Sequence, residues 1–224
     1  MKDWQTRLRF NPLPHLLSSG NEALIYFVNL NLLAEEVLPV KVLWELPDVL
    51  KILKKQKNNG AWIYPGRTKD EYPDINYNLL ETYRNLGFLV EKYGFTTEHP
   101  AVRKAAAYLF SCQTEEGDFR GMYGKEYSPN YSSAIMELLI KAGYQDDPRI
   151  EKGFNWLLSV RQDDGGWAAP LRTIGVTNTV DWFKNKSGTP PEDMEAPAPK
   201  NNKYFPSLVF SNSAKRSNTN NGEI

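Results

Sequence analysis

Apolar positions recur at helical spacing in several separate runs along this chain. From Glu22 to Glu36, Leu24, Phe27, Val28, Leu30, Leu32 and Leu33 form one broad face, with Asn21 placed to cap the start and Pro39 beyond the end. The pattern predicts a helix. A second run, Val42 to Gln56, repeats Leu43, Leu46, Leu50 and Leu53 at spacings of three and four. It predicts another helix, with Pro47 in or near its first turn.

Two further runs superpose without a gap. Pro100 precedes Gln113 as Pro148 precedes Arg161, and between them Val102 pairs with Ile150, Lys104 with Lys152, Tyr108 with Trp156, Leu109 with Leu157 and Ser111 with Ser159. A second helix type lies between these. Tyr77 to Leu86 ends at Gly87-Phe88, and Tyr131 to Ala142 ends at Gly143-Tyr144. In this alignment Leu79 falls on Ile135, Leu80 on Met136 and Glu81 on Glu137, and each glycine stands where a left-handed cap is expected.

A short phrase closes each helix of the first type: Gln56-x-x-x-Gly60-Ala-Trp62, Gln113-x-x-x-Gly117-Asp-Phe119 and Arg161-x-x-x-Gly165-Gly-Trp167. A phrase recurring at such a period marks a repeat protein in which each helix pair buries its apolar face on its neighbours. About seven helices are expected in one domain over residues 1–187, with Thr177 to Lys186 as a short last helix. Gly188 to Lys200 holds Pro190, Pro191, Pro197 and Pro199, and Ser211 to Ile224 has almost no apolar residue. Residues 188–224 read as a disordered tail.

Composition narrows the function classes. Lys plus Arg and Asp plus Glu number 27 each, so no charge excess attracts nucleic acid. One cysteine, Cys112, excludes an internal disulfide, and two histidines, His15 and His99, leave too few ligands for an ordinary zinc site. No metal or cofactor is expected. The N-terminus lacks the apolar core of a signal peptide, and no run of about 18 apolar residues occurs, so a cytoplasmic protein without a transmembrane segment is expected.

The repeated Gln-x-x-x-Gly-x-Trp/Phe phrase, with inner helices between its copies, resembles the QW motif of the terpenoid cyclase and protein prenyltransferase superfamily, which includes squalene-hopene cyclase. The resemblance covers roughly residues 43 to 167 and implies an all-α fold of paired helices, an α/α toroid whose inner helices surround a cavity. A closed ring of six pairs needs more helices than this chain offers, so a partial or unclosed toroid is expected. The resemblance makes Gln56 with Trp62 and Gln113 with Phe119 clamps between outer helices; Arg161 departs from the pattern.

The same resemblance implies an isoprenoid or another apolar ligand in a central cavity, with Trp62, Tyr64, Phe119, Tyr123 and Trp167 as ligand-binding rings. Ring faces stabilise a developing cation. The Asp-x-Asp-Asp acid of the class II cyclases and the Asp, Cys and His zinc set of the prenyltransferases are missing from the sequence. Asp146-Asp147 and Asp163-Asp164 stand at helix boundaries, where acids cap. The candidate acids are Glu81 and Glu137, which recur within the inner helices, and Asp70 and Asp74, in the loop after Trp62, with Glu126 in the equivalent loop after Phe119. The loop acids, beside aromatic neighbours, suit a carbohydrate-active toroid, since glycosidases set two carboxylates across the scissile bond. The other alternative is a non-catalytic scaffold for a protein partner. Self-association would supply missing helices.

Overall fold

A computed structural model describes residues 4, 7–66, 75–122, 124, 126–161 and 165–167. The chain divides into two units, Met1–Leu157 and Leu158–Ile224. Thr177 to Lys186, the tail, Asp70, Asp74, Tyr123, Asp163 and Asp164 lie outside the described residues. Among the described residues the fold is all-α, and the only pairings of strand type are two isolated bridges.

Seven α-helices follow one another among the described residues: α1 Leu13–Leu17, α2 Glu22–Phe27, α3 Pro47–Leu53, α4 Tyr77–Gly87, α5 Pro100–Ser111, α6 Pro129–Leu139 and α7 Pro148–Ser159. They alternate in kind. α3, α5 and α7 are short outer helices that start on proline. The ring fixes φ near the helical value, and its missing N–H is one that a first turn leaves unused. α2, α4 and α6 are inner helices, and each runs on into a π-helical turn: Val28–Leu33, Phe88–Lys92 and Ile140–Tyr144.

Side chains start the inner helices. Asn21 Oδ1 accepts from the Leu24 N–H, Asn76 Oδ1 from the Leu79 N–H, and Ser128 Oγ from the Tyr131 N–H. Each satisfies a donor that has no partner within the helix. Asn76 does more. Its amide nitrogen points at Cys112 Sγ, its side-chain oxygen receives the Tyr108 hydroxyl, and its backbone N–H donates to the Gly121 carbonyl. Burial raises the Cys112 thiol pKa, which keeps it protonated and unreactive.

The core lies between the two helix layers. Leu79, Leu86 and Leu89 of the α4 arm, Val102, Ala105, Ala106 and Leu109 of α5, and Ile135, Met136 and Leu139 of α6 are all buried. Full burial of a side chain the size of Leu or Ile stabilises by about 1.5–3 kcal/mol. α5 carries four small or β-branched residues on its buried face, Ala101, Val102, Ala105 and Ala106, so neighbouring backbones approach it closely.

Four expectations are corrected. Val42 to Gln56 is not one helix: a 3₁₀ segment, Val40–Glu45, precedes α3, and Leu46 between them is extended with ψ 140°. The clash of a proline ring with the preceding residue explains this break. The run from Glu22 keeps its α geometry only to Phe27 before the π turn. α6 starts at Pro129, two residues before the expected start. Gly87 has φ −57° and continues its helix, so it is no left-handed cap; Gly143, at φ 107°, is one, and the left-handed glycine after α4 is Gly94.

α5 has an unusual cap. His99 Nδ1 accepts from the Ala101 N–H at 3.1 Å, and its ring lies edge-on to Trp44 and Phe95. Burial, then the charge of Arg103, lowers the His99 pKa, against the opposing pull of Glu45. The unfolded chain therefore takes up the proton first. Stability from His99 is fully present above the usual histidine value of about 6.5 and is lost as pH falls through the lower folded value. Urea unfolding at about pH 7.5 and about pH 5 tests this with His99→Asn, which caps without titrating; wild type should lose more stability than the variant on acidification. Equal losses would show that the cap does not sense pH.

Candidate functional site

The repeated phrase builds a joint between consecutive outer helices. Gln56 Nε2 donates to the Gly60 carbonyl at 3.0 Å and to the Ala101 carbonyl, in the first turn of α5, at 2.9 Å. Gln113 Nε2 repeats this on Gly117 and on Arg149, in the first turn of α7, both at 2.8 Å. One amide thus ties the end of one outer helix to the start of the next. The phrase glycine lies against the backbone of that next helix. A Cβ at Gly117, which has φ 116°, would stand 2.6 Å from the Lys152 carbonyl oxygen, and one at Gly60, φ 90°, would run into the Lys104 carbonyl. Only glycine fits both the conformation and the contact.

The ring of each phrase then turns inward. Trp62 is 2% exposed and Phe119 is 0% exposed. The Trp62 N–H donates to Thr82 Oγ1 on α4 and the Phe119 N–H to Ser132 Oγ on α6, both at 3.0 Å. Trp62 Nε1 also donates to the Ile52 carbonyl at 2.8 Å. These hydroxyls set the register of the inner helices, with Thr82 matched to Ser132. Glu81 then falls on Tyr131 and Glu137 on Gly87, so the expected pairing of Glu81 with Glu137 is corrected. The error has a cause. Trp62 and Thr82 are 20 residues apart, Phe119 and Ser132 only 13, so the distance from phrase to inner helix does not carry over from one repeat to the next, and apolar residues recurring every three or four positions leave the register open.

The two acids stand in different places. Glu81, with its side chain 17% exposed, is held by Asn85 Nδ2 at 2.9 Å and Arg84 at 3.4 Å. It borders a hollow of about 760 Å³ together with Trp62, Ile63, Lys51, Lys54 and Lys55. Glu137 is 57% exposed and pairs with Lys141 at 2.9 Å. Lys141 also reaches Glu91 at 2.7 Å, and its pKa is raised, first by the bond to Glu91 and then by that to Glu137.

Glu137 borders a second concavity, and this one belongs to the inner helices. A groove of about 660 Å³ is lined by Leu24 and Phe27 of α2, Tyr83 and Phe88 of the α4 arm, and Glu137 and Leu138 of α6. Its floor is apolar, and Phe88 is 54% exposed. Burial, with help from Glu91 and Glu137, raises the Tyr83 pKa, so its hydroxyl stays protonated; the ring meets Tyr131 edge-on at 6.5 Å.

The remaining candidates lie elsewhere. Tyr64 stacks on Tyr77 with centroids 5.0 Å apart. Trp167 sits under the Arg161 guanidinium at 5.6 Å. Burial raises the Glu126 pKa, with Arg120 opposing. Asp147 accepts from the Arg149 backbone and side chain, which hold its carboxyl below the usual range. His99 and Cys112 flank opposite ends of α5. Of the expected site residues that the structure describes, only Glu137 lines the groove. Sequence reading missed Leu24, Phe27, Tyr83, Phe88 and Lys141, and also Asp118, a fully buried carboxylate inside the second phrase held by Thr114 and, at 2.8 Å, Arg120. No motif in the sequence marks the groove residues among them.

Residues 82–174 match the squalene-hopene cyclase C-terminal domain family. This stretch of the chain is squalene-hopene cyclase-like. It holds most of α4, all of α5, α6 and α7, and the second and third phrases. A probable squalene-hopene cyclase of Sinorhizobium fredii is 34% identical over 86 residues, 38% of this chain and 13% of that protein. The squalene-hopene cyclase of Bradyrhizobium diazoefficiens is 35% identical over 72 residues, 32% of this chain and 11% of that one; that of Schizosaccharomyces japonicus is 33% identical over 66 residues, 29% and 10%. The matched stretch thus spans roughly an eighth or less of these relatives' length. A solved protein from Actinoplanes superposes over 58% of this chain and 37% of that one with a TM-score of 0.38 at 20% identity, a likeness too slight to inform the fold.

The joints and the rim make opposite demands on stability. Gln113→Leu leaves the Gly117 and Arg149 carbonyls without their shared donor and should cost about 1–3 kcal/mol in urea unfolding. Glu137→Gln, at a solvated ion pair, should cost less than about 1 kcal/mol. Equal losses would show that the amide joint contributes no more than the exposed pair.

Proposed function

We propose that the inner-helix groove holds an apolar ligand of isoprenoid type and that this chain is a binder rather than a self-sufficient catalyst. The observation carrying this reading is the groove floor, where Leu24, Phe27, Phe88 and Leu138 from three separate inner helices meet on one open apolar surface. An extended hydrocarbon laid along it removes that surface from water at about 25 cal/mol per Å². The phrase rings support this indirectly: as QW-type clamps they hold the outer helices and leave the inner face to the ligand. Of the described candidate acids, Glu137 lines the groove and Glu81 borders the other hollow. An unpaired Cys112 suits a cytoplasmic setting, and no helix among the described residues is long and apolar enough to cross a membrane.

The rim supports a second reading. Arg84 and Lys92 stand beside Glu91 and Glu137 around the same floor, a mixture of signs that suits an amphipathic helix of a protein partner. The carbohydrate-active alternative depends on Asp70 and Asp74, and nothing in the groove adds to it.

Native mass spectrometry of the full chain with squalene and a set of isoprenoid diphosphates separates these readings. Wild type should retain a hydrocarbon, and Phe88→Asp should weaken retention at least about tenfold, equivalent to about 1.4 kcal/mol. Because Phe88 is exposed, its unfolding midpoint should hardly move. Retention unaffected by Phe88→Asp would remove the groove from the account, and no retention across the set would favour the protein partner.

A further inference from the structure

Gly87 stands in a helix that does not require it. It closes α4 with φ −57° and ψ −46°, helical angles that ordinary residues adopt freely, and a glycine there loses more chain entropy on folding than alanine would. Packing does not demand it either. A Cβ at Gly153, inside α7, would run into Met136 Sδ at 2.3 Å. Beyond its own helix backbone and chain neighbours, the one atom among the described residues near a Cβ at Gly87 is Leu138 Cδ2, at an ordinary 3.9 Å. The π turn that follows has no need of glycine, since at the same junction α2 has Phe27 and α6 has Leu139. In the register that matches Thr82 to Ser132, α6 carries Glu137 where α4 carries Gly87.

The missing side chain leaves bare backbone in the wall of the inner-helix groove. Gly87 lines that groove half-buried, with Phe88 next to it in the chain and Leu138 of α6 across from it. Residues three and four positions apart are neighbours on a helix surface, so Tyr83 and Arg84 border the same spot on one side and Glu91 on the other. The result is a pit about the size of a methyl group, edged by a ring and an aliphatic side chain. A straight chain passes over such a pit and leaves its walls without contacts. A chain with a methyl branch fills it.

We propose that Gly87 sets the specificity of the groove: by leaving room for a methyl branch, it selects branched hydrocarbon chains over straight ones of the same length. This role rests on the ligand reading above and narrows it to one residue and one feature of the ligand. Phe88, exposed on the floor, offers area to either kind of chain, so it governs affinity while Gly87 governs choice. Burial of one methyl group corresponds to about fourfold in affinity.

Native mass spectrometry of the full chain with hexahydrofarnesol and with dodecanol, which has the same main chain without the methyl branches, measures that choice. Wild type should hold the branched alcohol more tightly. Gly87→Ala fills the pit and should lower the ratio of branched to straight retention about fourfold, with dodecanol held as before. The same substitution should raise the melting temperature by about 1–4 °C, because alanine loses less entropy on folding. A lower melting temperature would make Gly87 a packing residue and overturn the proposal; so would an unchanged ratio in a variant that retains both alcohols, and the groove reading survives either result. No retention by wild type, or retention that Phe88→Asp leaves intact, overturns the groove reading and this role with it.

Discussion

The structure rests on a side-chain amide that satisfies two carbonyls at once. A helix end leaves carbonyls without partners, and a helix start places its first carbonyls beside the preceding turn. Gln56 and Gln113 each use one nitrogen for both, joining the phrase glycine to the next outer helix. The glycine is the other half of the device. Without a Cβ it lets two backbones meet at the Lys104 and Lys152 carbonyls, and that approach fixes the spacing of the outer layer. Neither part works without the other, because the amide reaches across only when the backbones are close.

The inner layer follows from the outer one. The ring after each glycine is buried, and its backbone N–H is fixed by a hydroxyl on the inner helix, Thr82 or Ser132. The outer joint therefore dictates where α4 and α6 sit and which faces they turn to each other. What remains on their open side is the groove, with Phe88 exposed on its floor and Lys141 holding Glu91 and Glu137 at its rim. The clamp rings serve the scaffold, and the groove is lined by residues that belong to no repeated phrase.

That division explains why the fold was more legible than the site. Outer helices announce themselves through proline at the start, Val102 or Ile150 in the buried stripe, and the closing phrase, all local signals. Inner helices have capping side chains, and α6 a proline at its start, but no closing phrase. Their apolar stripe repeats every turn or two, so Leu79 and Ile135 could be matched in the wrong register, and Glu81 and Glu137 then looked like partners. Only a contact from outside the helix, the Trp62 and Phe119 N–H groups, distinguishes one register from the next. The groove was less legible still, since Leu24, Phe88 and Leu138 come from three helices separated by about 50 or more residues and share no motif.

By itself the sequence determined the class of the fold, the alternation of outer and inner helices, the capping of α2 by Asn21 and the place of each joint, because proline, glycine, capping side chains and helical periodicity act within a few residues. Tertiary structure decided the register of α4 against α6, the π turns that end the inner helices, the burial of Trp62 and Phe119, and the separation of Glu81 from Glu137. Those depend on which backbones touch, and contact between distant segments follows from packing, where a change of register that local spacing does not forbid moves every side chain to a different neighbour.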